Sequence, residues 1–118
     1  MLIFSTAANL QLLSQSTEWF ADGTFSTAAA LFEQVYTIHV VRFNAVIPVV
    51  YAFLPNKTRA TYVKLLQELK RLQPGLHPAQ LMTDFKQAAM QAFDQEFPGI
   101  QKTGCFFHLC QSMEKGSE

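Results

Sequence analysis

The chain has 118 residues, with 49% apolar side chains, 15% charged ones, and nine basic residues balanced by nine acidic. That length fits one domain whose fold buries roughly two thirds of the extended chain's surface, and the composition excludes a disordered tail. The zero net charge argues against a surface that grips nucleic acid on every side, and eleven Phe favour a core built on aromatic packing.

In chain order, "STAANLQLLSQS" (Ser5–Ser16) predicts a short helix opened by a Ser or Thr cap. Three stretches rich in β-branched and aromatic residues follow: "EWFADGTF" (Glu18–Phe25), "LFEQVYTIHVV" (Leu31–Val41) and "AVIPVVYAFL" (Ala45–Leu54). Each reads as a strand, and the short links between them predict an antiparallel three-stranded meander. Pro48 has no N–H to donate to a ladder, so the third strand is expected at the sheet edge. That stretch is also the longest apolar run, far short of the ~20 residues needed to span a bilayer as a helix.

The period then changes. "TYVKLLQELKRL" (Thr61–Leu72) sets Tyr62, Leu65, Leu66, Leu69 and Leu72 on one helical stripe, stopped by Pro74-Gly75. "AQLMTDF" (Ala79–Phe85) predicts a short strand. A second helix follows, with Phe85, Ala88, Ala89, Ala92, Phe93 and Phe97 on its apolar face and Pro98-Gly99 at its end. "QKTGCFFHL" predicts a last strand. Its Cys105 and Cys110 make a poor disulfide framework, and the first residues lack a basic leader, so a soluble, reduced, intracellular protein without a membrane partner is expected. The order β–β–β–α–β–α–β gives an α/β fold with a mixed sheet. A crossover brings the fourth strand beside the first, parallel to it.

This topology raises the question of Asp22 in "ADGTF". An Asp-Gly pair between apolar residues is a common hairpin-turn signal. If the stretch is instead one continuous strand, Asp22 projects from the centre of the sheet and Asp84 follows the neighbouring parallel strand. Two carboxylates forced together repel unless a proton or a metal ion lies between them, and Mg²⁺ or Mn²⁺ suits such oxygens. Asp84 has its own plain reading as a helix cap. The bare residues leave these alternatives open.

"WFADGTFSTAAALFEQVYTIH", "VIPVVYAFLPNKTRATYVKLLQELK", "TDFKQAAMQAFDQEFPG" and "GCFFHLCQS" occur in this order. The chain, from about Glu18 to Ser112, resembles the catalytic core of the Mutator-like element (MULE) transposases. The resemblance implies a ribonuclease H-like fold, a DDE acidic triad, a divalent metal (Mg²⁺ or Mn²⁺), DNA transposon ends as partner and a nuclear location. It makes Asp22 the first catalytic and metal-binding aspartate, Asp84 the second, and Cys105 with His108 the family's Cys-x-x-His signature. The family's third acid lies well beyond that signature. Only Glu114 and Glu118 follow His108 here, and neither matches that position. A single, partial catalytic domain, inactive alone, is therefore expected. Lys86 stands where many relatives carry an acid.

Other candidates are weaker. Cys105 and His108 supply two of the four ligands a structural zinc needs, and His77 with Cys110 completes no standard spacing. A Cys–His nucleophile is a distant alternative. His39, inside the second strand, is expected to pack or to bond the ladder. Lys57, Lys64 and Arg71 recur every seven residues and define a possible DNA-contacting stripe, against the plainer reading of a solvated helix face. A catalytically silent DNA- or protein-binding module is the alternative to the transposase core. Exposure of Phe106 or Phe107 would lead to self-association.

Overall fold

The computed structural model describes residues 1–25, 34–83 and 87–103, except for the side chains of Thr24 and Phe25. Its elements are β1 (Leu2–Phe4), α1 (Ala7–Gln15), β2 (Glu18–Phe25), β3 (Gln34–Arg42), β4 (Ala45–Leu54), α2 (Arg59–Leu72), β5 (Gln80–Thr83), α3 (Gln87–Glu96) and β6 (Gln101–Thr103). The strands form one mixed sheet in the order β1-β4-β3-β2-β5-β6. β2, β3 and β4 are the expected antiparallel meander, and β5 runs parallel to β2 as the crossover reading requires.

Local chemistry explains the boundaries. Thr6 caps α1 by accepting from the Asn9 amide, and Thr58 caps α2 by accepting from the Thr61 amide, each satisfying an otherwise unbonded N–H of the first turn. Phe43 and Asn44, both at positive φ (53° and 60°), form the two-residue β3–β4 turn, a geometry that follows the strands' right-handed twist. Gly75 and Gly99 take φ values of 89° and 87° after α2 and α3, where a side chain would be strained.

Two expectations are corrected. β4 is not an edge strand, because β1 pairs with it through Leu2–Phe53, Ile3–Ala52 and Phe4–Tyr51. Pro48 is still accommodated by the rule that suggested an edge: it lies beyond the reach of β1, where a register shift falls between Ile38 and His39. On α2, Tyr62, Leu65, Leu66 and Leu69 are buried as their spacing demands, whereas Leu72, the last residue of the helix, is exposed.

The core lies on one face of the sheet. Trp19, Ala21, Tyr36, Ile38, Val50, Ala52 and Leu81 alternate onto that face and meet Leu13 of α1, Leu65 and Leu69 of α2, and Ala89, Ala92 and Phe93 of α3. Trp19 is its hub. Its ring meets Phe97 and Phe93 edge-on at 5.3 and 6.3 Å, and its indole N–H donates to the Leu13 and Ser16 carbonyls at the end of α1. The opposite face carries Phe20, Asp22, Thr37, His39, Tyr51, Phe53 and Met82, by strand alternation and register.

Candidate functional site

Asp22 and Gly23 sit inside a strand paired on both sides, Asp22 opposite Thr37 of β3 and the preceding Ala21 beside Thr83 of β5. The hairpin-turn reading of Asp-Gly is thereby excluded. Asp22 is half-buried, at the centre of the sheet and on the face opposite Trp19 and Ala21. Burying Ala21 and Trp19 against the helices fixes this orientation: a one-residue slip would turn both into solvent and bring the carboxylate into the core.

Thr83, buried, is the last described residue of β5. Asp84, Lys86, Phe106, Phe107, Cys105, His108, Cys110, Glu114 and Glu118 lie outside the described residues. Among the described residues no group of three or more His, Cys, Asp or Glu stands ready to hold a metal ion.

His39 is the neighbour of Asp22 that sequence reasoning set aside. It faces Phe20 across the β2–β3 ladder, which makes it the diagonal neighbour of Asp22 on the same face. Burial pushes its imidazole below the ordinary value, opposed by a hydrogen bond with the Phe20 backbone and by the negative charge of Asp22. The register shift between Ile38 and His39 falls at this position, and strand irregularities of this kind re-aim a side chain. No signal in the sequence announces the shift except Pro48, which pairs with His39.

The basic stripe is only partly assembled. Lys64 and Arg71 lie on α2 and are exposed, while Lys57 precedes the helix and its Thr58 cap. Arg71 is engaged locally: its guanidinium donates to Glu68 at 2.8 and 3.1 Å and holds that carboxyl below its usual range. Lys70 is likewise committed, bonding the Glu96 carbonyl at 2.6 Å and its carboxylate at 3.3 Å above the Phe97 ring. Arg59, not singled out from sequence, lines a shallow groove with Lys64, Gln67 and Gln95 and donates to Gln95 at 2.7 Å. His77 is exposed and bonds the nearby Gly75 carbonyl at 2.9 Å.

A meander joined to a parallel strand, with helices against one face and an aspartate at mid-sheet on the other, is compatible with a ribonuclease H-like α/β domain. Residues 18–112 match the MULE transposase domain model, and the chain belongs to that family. No curated protein matches the chain. Among the described residues no helix is long and apolar enough to cross a membrane.

Proposed function

We propose that the chain supplies part of the catalytic core of a DDE-type transposase, for metal-dependent DNA cleavage and strand transfer. The observation that carries this reading is the register of β2 and β5. Ala21 pairs with Thr83 in parallel, Asp22 follows Ala21 on β2, and Asp84 follows Thr83 in the sequence, outside the described residues. The carboxylate oxygens of Asp22 suit a hard divalent ion, and the half-buried position limits competing water. Asp22 and Asp84 would hold Mg²⁺ or Mn²⁺. The chemistry an ion would supply when held there is Lewis-acid polarisation of a phosphodiester and a lowered pKa for an attacking hydroxyl.

The third acid is assigned to none of the 118 residues, so this reading expects no strand transfer from them alone. Transposon-end DNA as partner and a nuclear location follow from the same reading, as does the family-signature role of Cys105 and His108. The test is a nicking assay on duplex DNA with Mg²⁺ or Mn²⁺, run for wild type and Asp22→Asn. Inactivity of both fits the two-carboxylate account. Cleavage abolished by Asp22→Asn would keep the site and refute the inactivity. Cleavage untouched by it would refute the site.

The local pairing of Arg71 with Glu68 favours a second reading of the basic stripe, as a solvated helix face in a catalytically silent module. DNA binding that weakens with salt and on Lys57→Gln and Lys64→Gln substitution would support the DNA-contact role; salt-insensitive binding would leave a protein partner.

A further inference from the structure

The β3–β4 turn carries a side chain that the fold itself does not need. Phe43 is 89% exposed, more than any other large apolar side chain among the described residues. It also sits at φ of 53°, in the left-handed region where Asn, Asp or Gly is favoured and a bulky side chain is an outlier. A ring in that position neither fills a core nor relaxes the backbone. Backbone outliers of this kind cluster where a protein clamps a ligand.

The neighbours of Phe43 indicate the chemistry of that ligand. The Arg42 guanidinium lies 5.2 Å from the ring centroid, and its other described contact is a long one, 3.5 Å to the Gln15 side-chain oxygen. Glu18 shares a shallow depression with Arg42, but among the described residues the two form no ion pair. Arg42 and Asn44 are both exposed. A cation, a ring and an amide projecting together match the set with which proteins enter the minor groove of DNA. Arg and Asn meet phosphates and base edges there, and an apolar side chain wedges between base pairs. Every base offers a π-face to such a ring, with a phosphate close by for the cation.

The turn's place in the sheet agrees with this. Asp22 lies opposite Thr37, and from Thr37 to Phe43 the chain advances about 20 Å at ~3.4 Å per residue. That length is about six steps of duplex at ~3.4 Å each, so one DNA segment running along the strands spans both places.

We propose that Phe43 is a stacking wedge for duplex DNA, inserted between two base pairs about six steps from the place where Asp22 acts, with Arg42 on the adjoining phosphate. The inference rests on the reading of the chain as part of a transposase core and adds a DNA-positioning residue to it. Pyrimidine–purine steps such as TA unstack most readily, so the wedge favours a TA step at that spacing from the cut.

The experiment is binding of the whole 118-residue chain to mixed-sequence DNA duplexes that carry a fluorescent adenine analogue in a TA step. Wild type is expected to bind with an affinity that falls as salt rises. It should also raise the analogue's fluorescence, because unstacking relieves quenching by the neighbouring bases. Phe43→Asn should abolish the rise and weaken binding by about 5- to 100-fold, the scale of one lost base–aromatic stack. Asn suits the left-handed backbone, so the unfolding midpoint should not fall and the loss is not one of folding. Phe43→Tyr should keep both signals. Leu72→Ala, which removes an exposed apolar side chain elsewhere, should change neither. Arg42→Gln should weaken binding and lower the salt slope by about one, with the rise still present. Unchanged affinity or an undiminished rise in Phe43→Asn overturns the wedge while sparing DNA as partner. So does a loss in Phe43→Tyr as large as that in Phe43→Asn. No salt-dependent DNA binding by wild type overturns the wedge and the reading beneath it together.

Discussion

Replacing Phe43 separates a backbone effect from a side-chain effect at the turn that sets the register of the His39 strand. Phe43 has φ of 53°, in the left-handed region, and is 89% exposed. A bulky L-residue there costs roughly 1–2 kcal/mol, and Asn tolerates the region better than most residues. The ring buries almost nothing. Its one described contact is the Arg42 guanidinium at 5.2 Å from the centroid, worth about 0.5–1 kcal/mol at an exposed site. Phe43→Asn should therefore relieve about 1–1.5 kcal/mol of strain and forfeit the cation contact, a net stabilisation of about 0.5 kcal/mol. Phe43→Ala forfeits the same contact and keeps the strain, so it should destabilise by about 0.5 kcal/mol. Urea unfolding at constant m-value reads both midpoints. Opposite signs are expected. Destabilisation by both variants would show that the ring, not the backbone, governs this turn, and would refute the reasoning.

Other outcomes follow from the packing and the charges. Leu65→Ala, in the core, should lose about 2–5 kcal/mol of stability in denaturant titrations, and Leu72→Ala less than about 0.5 kcal/mol. Lys70→Gln removes the cation from the α3 terminus and from Glu96, whose side chain is 10% exposed, and should cost about 1–2 kcal/mol by the same method. Glu68→Gln, which breaks an exposed pair screened by solvent, should leave the unfolding midpoint essentially unchanged. Because burial lowers the folded-state pKa of His39 below 6.5, the unfolded chain binds the extra proton more readily. The stability due to neutral His39 is thus present above pH 6.5 and is lost as pH falls below it. His39→Gln should flatten that part of a pH series of unfolding midpoints, and an unchanged slope would contradict the assignment.

Much of the fold was legible because its signals are local. Glu18–Phe25 and Ala45–Leu54 emerge as strands with the bounds their β-branched and aromatic runs indicate, and Thr58 and Thr6 cap their helices as hydroxyl residues do. β1 was not legible. Leu2–Phe4 is too short to show a period, and it is a strand only because the Tyr51–Phe53 edge is there to receive it. Its presence also moved β4 inward, against the expectation drawn from Pro48. The stripe of Lys57, Lys64 and Arg71 was read from spacing, which does not reveal that Thr58 starts the helix after Lys57 or that Glu68 engages Arg71.

The candidate site shows the same division between local and tertiary information. The letters Asp-Gly fit a turn as well as a strand, and pairing with β3 on one side and β5 on the other decides between them. His39 looked like an ordinary ladder residue. Its proximity to Asp22 depends on the antiparallel register of β2 and β3, a relation between distant segments that no short pattern encodes. Family resemblance directed attention to the two aspartates as candidates, while the register gives a physical reason for Asp22 to face away from the core.

The most direct test of a shared cation at Asp22 and Asp84 is anomalous X-ray scattering from crystals of the chain grown with Mn²⁺. The account predicts one strong Mn²⁺ peak within coordination distance of both carboxylates, on the sheet face opposite Trp19. Two carboxylates on opposite faces of the sheet, or a fully occupied ion bound by neither, would contradict it.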